Sequence, residues 1–136
     1  MKNVLFVCIE NACRSQMAEG FFNNLAKGIA RSLSAGTRVA KEVNPMAVQV
    51  MKEVGIDISG QKPKMLTEEL IKAVNRVIVM GCGADPQAVC PAVNLKQVEN
   101  WEIEDPKGKP IEKFREVRDI IQKKVENLIK EMESGS

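Results

Sequence analysis

Cys8 and Arg14 are separated by five residues, and Ser15 follows at once, within the stretch VLFVCIENACRSQMAEG. A thiol, a guanidinium and a hydroxyl at this spacing suit the capture of a tetrahedral oxyanion. Where a chain turns from a strand into a helix, several backbone N–H groups and the positive end of the helix dipole converge on one spot. Arg14 adds a planar fork that matches two oxyanion oxygens. The same field favours thiolate over thiol at Cys8, so a nucleophile is available without a neighbouring base. Ser15 can donate a hydrogen bond to that sulfur, and Asn11 can fix the loop through side-chain to backbone bonds. The spacing alone recurs by chance, and a free cysteine at a strand end is commonly a small buried hydrophobe. Its position between an apolar run and a helix is what gives the pattern weight.

The composition removes other chemistries. The 136 residues include no His and no Tyr, which excludes a Cys–His pair, a Ser–His–Asp triad, a His-based metal site and a tyrosine acid. A net charge of +2 with both signs interspersed, and only 4% aromatic residues, gives no footprint for nucleic acid. The apolar run from Val4 to Ile9 is too short for a membrane span or a signal segment, so a cytoplasmic protein without a membrane partner is expected. In that reducing compartment the four cysteines are expected to be reduced, and either buried or reactive. The length suits one domain over residues 1–136, with 134–136 as a frayed end or a cloning remnant.

The elements that must hold Cys8 and Arg14 follow from the apolar pattern. Val4 to Val7 predicts a strand buried on both faces, and Ser15 opens a helix reaching about Lys27. A second strand is expected at Ala30 to Ser34, stopped by Ala35–Gly36. In NPMAVQVMKEVG, Asn44 caps a helix, Pro45 fits its first turn and Gly55 its end. Thr67–Glu68–Glu69 starts another helix, and RVIVMG from Arg76 predicts a further buried strand. Lys96 to Trp101 gives the faintest strand signal. In the last helix Ile111, Phe114, Val117, Ile120, Ile121, Val125, Leu128 and Met132 recur every three or four residues, an apolar face that packs on the core. Strands alternating with helices imply a parallel sheet covered on both sides.

CIENACRSQMAEG resembles the signature of the low-molecular-weight protein tyrosine phosphatase superfamily, and NACRSQMAEG is similar to its thioredoxin-coupled arsenate reductase branch. The likeness continues through EVGIDISGQ and WEIEDPKGK to FREVRDII, so it covers nearly the whole chain. It implies an α/β three-layer sandwich with a four-stranded parallel sheet in the order 2-1-3-4, acting as a monomer. In that order strands 1 and 3 are neighbours about 4.8 Å apart. Cys8 and Cys82 would then lie just past their ends, at the topological switch point where ligands bind. Residues Glu10, Asn11, Ala12, Cys13, Arg14 and Ser15 would form the oxyanion loop. Glu10 departs from the family pattern by placing a carboxylate where a neutral or basic residue is usual.

The resemblance also assigns roles. Asp105–Pro106 matches the family's general-acid element, with the carboxyl delivering a proton to the departing oxygen; as an isolated dipeptide it would read as an ordinary turn. In the reductase branch Cys82 attacks the Cys8–arsenic adduct, arsenite leaves, and Cys90 takes over Cys82 to give an exchangeable disulfide. Seven residues separate Cys82 from Cys90 here, one more than the family spacing, which a loop containing Gly83 and Pro86 tolerates. Electrons would come from thioredoxin or a related dithiol carrier such as glutaredoxin, with arsenate or a phosphate-like oxyanion as substrate. No tightly bound cofactor or metal is expected. Two sulfurs at this spacing make no tetrahedral zinc set, and GQKPKM is basic where an acidic ligand for a cation near the loop Asn would be needed. Cys13 either protects Cys8 by a disulfide across the loop or packs beneath it. The main rival is a phosphomonoesterase using Cys8, Arg14 and Asp105 alone. A phosphocysteine carrier domain and an oxidant sensor are further alternatives, the former disfavoured by Arg14 and Asp105.

Overall fold

The structure, a computed structural model, describes residues 2–80 and 97–134. Along the chain run β1 (Lys2–Cys8), α1 (Arg14–Leu25), β2 (Ala30–Gly36), α2 (Pro45–Lys52), α3 (Glu68–Lys72), β3 (Arg76–Val79), β4 (Gln97–Asn100) and α4 (Ile111–Ser134). The strands form one parallel sheet in the order β2-β1-β3-β4. This is the α/β architecture that the resemblance implies.

Two cores explain the unbroken apolar run of β1, because successive side chains of a strand face opposite sides. Val4, Phe6 and Cys8 join Phe21 and Phe22 of α1 and Val117 and Ile121 of α4 on one face. Leu5 and Val7 join Val77 and Val79 of β3 and Ile71 of α3 on the other. The Phe6 ring meets Phe22 edge-on at 5.9 Å and Trp101 at 5.7 Å. Cys8 is therefore held by the same packing that seats Phe6, one pleat further along.

Several boundaries differ from expectation, each for a local reason. Strand β1 includes Cys8 as its last residue, paired in register with Gly36. Strand β2 continues past Ser34 through Ala35–Gly36, because the 64–66 segment pairs with its outer edge. Gly36 donates to Lys64 O and accepts from Leu66 N, both at 2.8 Å. Helix α1 ends at Leu25, before Gly28 turns the chain with φ +85°. Asn44 caps α2 by accepting the Met46 N–H at 2.9 Å, and Thr67 caps α3 by accepting that of Leu70 at 3.1 Å. On α4, Phe114, Val117, Ile121, Val125, Leu128 and Met132 are buried and Ile111 packs at the margin. Ile120 is instead 40% exposed and Ile129 takes a buried place. At 3.6 residues per turn, position 120 rotates off the stripe that 117, 121, 125 and 128 define, whereas 129 falls on it.

At the end of the sheet away from Cys8, Arg76 of β3 pairs with Glu99 and Glu131, each at 3.2 Å, joining β3, β4 and α4. The indole N–H of Trp101 donates to the same Glu99. Among the described residues no helix is long and apolar enough to cross a membrane.

Candidate functional site

The chain leaves β1 at Cys8 and enters α1 at Arg14, so residues 9–13 form the connecting loop. Three loop carbonyls are turned outward and satisfied there. Ile9 O accepts from Arg38 N at 2.8 Å, Glu10 O from Ala40 N at 3.0 Å and Ala12 O from Asn44 N at 2.9 Å. In a trans peptide the next N–H points opposite to each carbonyl. The amides of residues 10, 11 and 13 thereby face inward, away from the 38–44 segment. Gly36 is what lets β2 come this close. A Cβ there would sit 2.6 Å from Ile9 O and 3.0 Å from Asn11 N.

Asn11 is the pivot of the loop. It adopts φ +54°, a left-handed conformation that asparagine tolerates better than most residues. Its Oδ1 accepts from Lys64 N at 2.7 Å and from Gln16 Nε2 at 3.0 Å. Its Nδ2 donates to Ser15 Oγ at 2.7 Å, and Ser15 Oγ lies 2.8 Å from Cys8 Sγ. Gln16 is held in turn by Gln61, whose Nε2 donates to Gln16 Oε1 at 2.6 Å. Asn11, Ser15 and Gln16 are all fully buried, so this polar network is satisfied by protein rather than by solvent.

Arg14 is only 3% exposed and not a surface cation. Its Nη1 donates to Met80 O at 2.7 Å and Ile103 O at 2.9 Å, bracing the end of β3 against the segment after β4. Its Nη2 lies 3.6 Å from Asp105 Oδ2. The Asp105 side chain is half exposed, and its Oδ1 accepts the Lys107 N–H at 3.0 Å. Cys8, Arg14 and Asp105 thus border one cleft, together with Glu10, Ala12 and Cys13. Lys107 reaches across its mouth to the Glu10 carboxylate, with Nζ 2.7 Å from Oε1. A thiol, a guanidinium and a carboxyl around one opening can perform nucleophilic displacement on an oxyanion with proton delivery to the leaving oxygen.

Cys13, at the end of the loop, is buried, and its thiol is pushed up from 9.0 to about 12. Burial contributes most, followed by the negative charge of Asp105, and Arg14 opposes both. Cys13 therefore keeps its proton at neutral pH. Cys82 and Cys90 lie outside the described residues.

Near the loop, Glu19 accepts from Ser34 Oγ at 2.6 Å, and Lys64 Nζ stands 3.8 Å from the same carboxylate. An ammonium thus faces Glu19, and Asn11 Oδ1 accepts from two donors. A larger groove of about 640 Å³ runs beside α1 past Asn23, Arg31 and Asp57 and includes none of Cys8, Arg14 or Asp105.

Sequence pattern located the loop but not its supports. Gln16 pairs with Gln61 45 residues away, Arg14 reaches the carbonyls of Met80 and Ile103 66 and 89 residues away, and Gly36 meets the loop from β2. Gly36 carried a usable signal, since a glycine closing a strand often marks close backbone approach. Lys107 carried one as well, being a cation directly after the Asp105–Pro106 pair.

Comparison with known proteins agrees with this architecture. A "Glutaredoxin arsenate reductase" of Synechocystis sp. is 42% identical over 133 residues, covering 95% of this chain and 97% of the relative. A solved structure described as an arsenate reductase in the phosphate binding state superposes with a TM-score of 0.89 at 41% identity, over 97% of this chain and 99% of the other. A thioredoxin-dependent arsenate reductase from Corynebacterium glutamicum superposes with a TM-score of 0.81 at 31% identity, over all of this chain and 64% of that one. The sequence model of the low molecular weight phosphotyrosine protein phosphatases matches residues 3–135. This chain belongs to the low molecular weight phosphotyrosine protein phosphatase family.

Proposed function

We propose that this protein is an arsenate reductase. The observation that carries the reading is the grouping of Cys8 Sγ, held 2.8 Å from Ser15 Oγ, with Arg14 and Asp105 around one cleft, in a chain 42% identical over 133 residues to a glutaredoxin arsenate reductase. In this reading the Cys8 thiolate attacks arsenic(V), and Asp105 protonates the oxygen that leaves as water. Arg14 and the inward amides of residues 10, 11 and 13 hold the remaining oxygens. The Cys82 thiolate then attacks the Cys8 sulfur. The sulfur–arsenic electron pair departs with arsenic, giving arsenite and a Cys8–Cys82 disulfide. Attack by Cys90 on Cys82 frees the Cys8 thiolate and leaves a Cys82–Cys90 disulfide for an external dithiol to reduce. The carrier is thioredoxin or glutaredoxin, in keeping with the names of two of the relatives, and a cytoplasmic monomer fits such a supply of electrons. No bound cofactor enters any step.

A phosphomonoesterase reading draws support from the family match and needs only Cys8, Arg14 and Asp105. One experiment separates the two. Reduced protein is given arsenate with thioredoxin, thioredoxin reductase and NADPH, or with glutaredoxin, glutathione, glutathione reductase and NADPH, and separately para-nitrophenyl phosphate. Arsenate-dependent NADPH oxidation is expected from one carrier system, abolished by Cys82→Ser and by Cys90→Ser, with slow ester cleavage retained in both variants. Rapid ester cleavage without NADPH oxidation in either carrier system would assign the protein to the phosphatases.

A further inference from the structure

We propose that Glu10 and Lys107 form a strap across the mouth of the cleft that makes the site selective for small inorganic oxyanions over bulky phosphate esters. The inference builds on the oxyanion-site reading above and adds to it a residue pair that determines specificity.

Glu10 sits in the middle of the Cys8–Arg14 loop, and its carboxylate is the group there most unfavourable to an incoming anion. Lys107 comes from 97 positions away and binds both carboxylate oxygens, with Nζ 2.7 Å from Oε1. The Lys107 backbone N–H also donates to Asp105 Oδ1 at 3.0 Å, so one residue ties the Asp105 turn to the loop. The Glu10 and Lys107 side chains are 33% and 57% exposed. An ion pair so placed contributes little to stability, which turns attention to what it does at the opening. Between the loop and the Asp105 turn about 10 Å³ is open to the centre of a water molecule, so the opening is narrow.

Two consequences follow. The first is electrostatic. The Glu10 charge is felt at Cys13, inside the cleft, where it helps to disfavour a thiolate. Lys107, bound to both Glu10 oxygens, opposes that field for an arriving dianion, at a range where solvent ions screen only partly. The second is steric. An inorganic oxyanion has no substituent beyond its four oxygens and can lie wholly behind the strap. The substituent of a phosphate ester must project through the mouth, where Glu10 and Lys107 meet, so an ester binds only with the strap parted.

The test is a double-mutant cycle on the full chain with Lys107→Met, Glu10→Gln and both together. Inorganic phosphate is the binding probe, read by its protection of Cys8 from iodoacetamide, and para-nitrophenyl phosphate is the ester. Lys107→Met alone leaves Glu10 unpaired and is expected to weaken phosphate protection about tenfold at low ionic strength, with a smaller loss at high salt. Adding Glu10→Gln is expected to restore parental phosphate affinity. The double variant, with its mouth open and uncharged, is expected to raise ester kcat/KM severalfold relative to that affinity. Equal weakening in the single and double variants, or an unchanged preference between ester and phosphate, overturns the strap. These readouts need no arsenate turnover. A protein that shows the cycle but reduces no arsenate keeps the strap and loses the reductase reading, and one that reduces arsenate without the cycle does the reverse.

Discussion

Asn11 Nδ2 donates to Ser15 Oγ at 2.7 Å, and the same oxygen lies 2.8 Å from Cys8 Sγ. The orientation of the Asn11 amide is set at its other end. Asn11 Oδ1 receives the Lys64 N–H and a Gln16 amide hydrogen, so a flipped Asn11 would set donors against donors. Ser15 Oγ receives one hydrogen from Asn11 and has its own available to donate to a thiolate at Cys8. A hydrogen bond to a charged group contributes about 1.5–3 kcal/mol. Ser15→Ala is accordingly expected to slow iodoacetamide alkylation of Cys8 at neutral pH by about tenfold or more, with circular dichroism unchanged. Mass-spectrometric timing of the labelling checks this, and a parental rate in the variant would remove Ser15 from the stabilisation of the thiolate.

Arg14 gives Nη1 to the Met80 and Ile103 carbonyls and presents Nη2 to Asp105. A lysine supplies one ammonium at the end of a flexible stem and cannot reproduce that fork. Arg14→Lys therefore leaves a buried carbonyl without its donor, at a cost of about 1–3 kcal/mol. The expected result is a lower urea midpoint together with loss of phosphate protection at Cys8. If binding alone is lost and the midpoint stays put, the brace between β3 and the segment after β4 carries no stability.

The elements around Cys8 were legible because they depend on neighbours in sequence. Apolar β1, the Asn44–Pro45 start of α2 and the stripe on α4 each state their structure within one window, whereas sheet order came from resemblance to a family, since no window of sequence encodes which strands pair. Ile120 and Ile129 mark the limit of periodicity, where spacings of three and four both look acceptable until helix rotation decides between them. The loop was legible at its chemically distinctive ends, Cys8 and Arg14. What holds it was not, because Lys64 N, Arg38 N, Ala40 N and Asn44 N are backbone donors whose identity leaves no trace in side-chain type.

Gly36 offers a test of those supports that touches no reacting group. A methyl at this position meets the Ile9 carbonyl oxygen at 2.6 Å and Asn11 backbone and Cβ atoms at 3.0 Å. None of these is the free end of a flexible chain, so the loop itself must give way. Overpacking of this kind costs about 1–3 kcal/mol. Gly36→Ala is expected to lower the urea midpoint correspondingly and to reduce turnover more than tenfold through displacement of the inward amides. A fully active variant of parental stability would show that β2 and the loop are not in rigid contact.

Cys13 yields a prediction at alkaline pH. Its thiol is raised to about 12 in the fold, by burial first and then by Asp105, from 9.0 in the unfolded chain. Above 9.0 the unfolded chain gives up this proton while the folded protein keeps it, so unfolding releases a proton and is favoured as pH rises. The contribution of the neutral thiol is intact below 9.0 and is lost progressively as pH climbs toward 12. Between those limits the loss approaches about 1.4 kcal/mol per pH unit. Urea titrations of the parent and of Cys13→Ala, compared at several alkaline pH values, isolate this contribution because the other titrating groups are common to both. The stability difference between the two proteins is expected to shift steadily in favour of the alanine variant above pH 9.0 and to be flat below it. At pH 8, iodoacetamide should modify Cys8 and spare Cys13 in the folded protein. A difference in stability that does not change with pH would mean that Cys13 ionises as freely in the fold as it does in the open chain, and its place at the end of the loop would then have to be far more solvated than its 6% exposure implies.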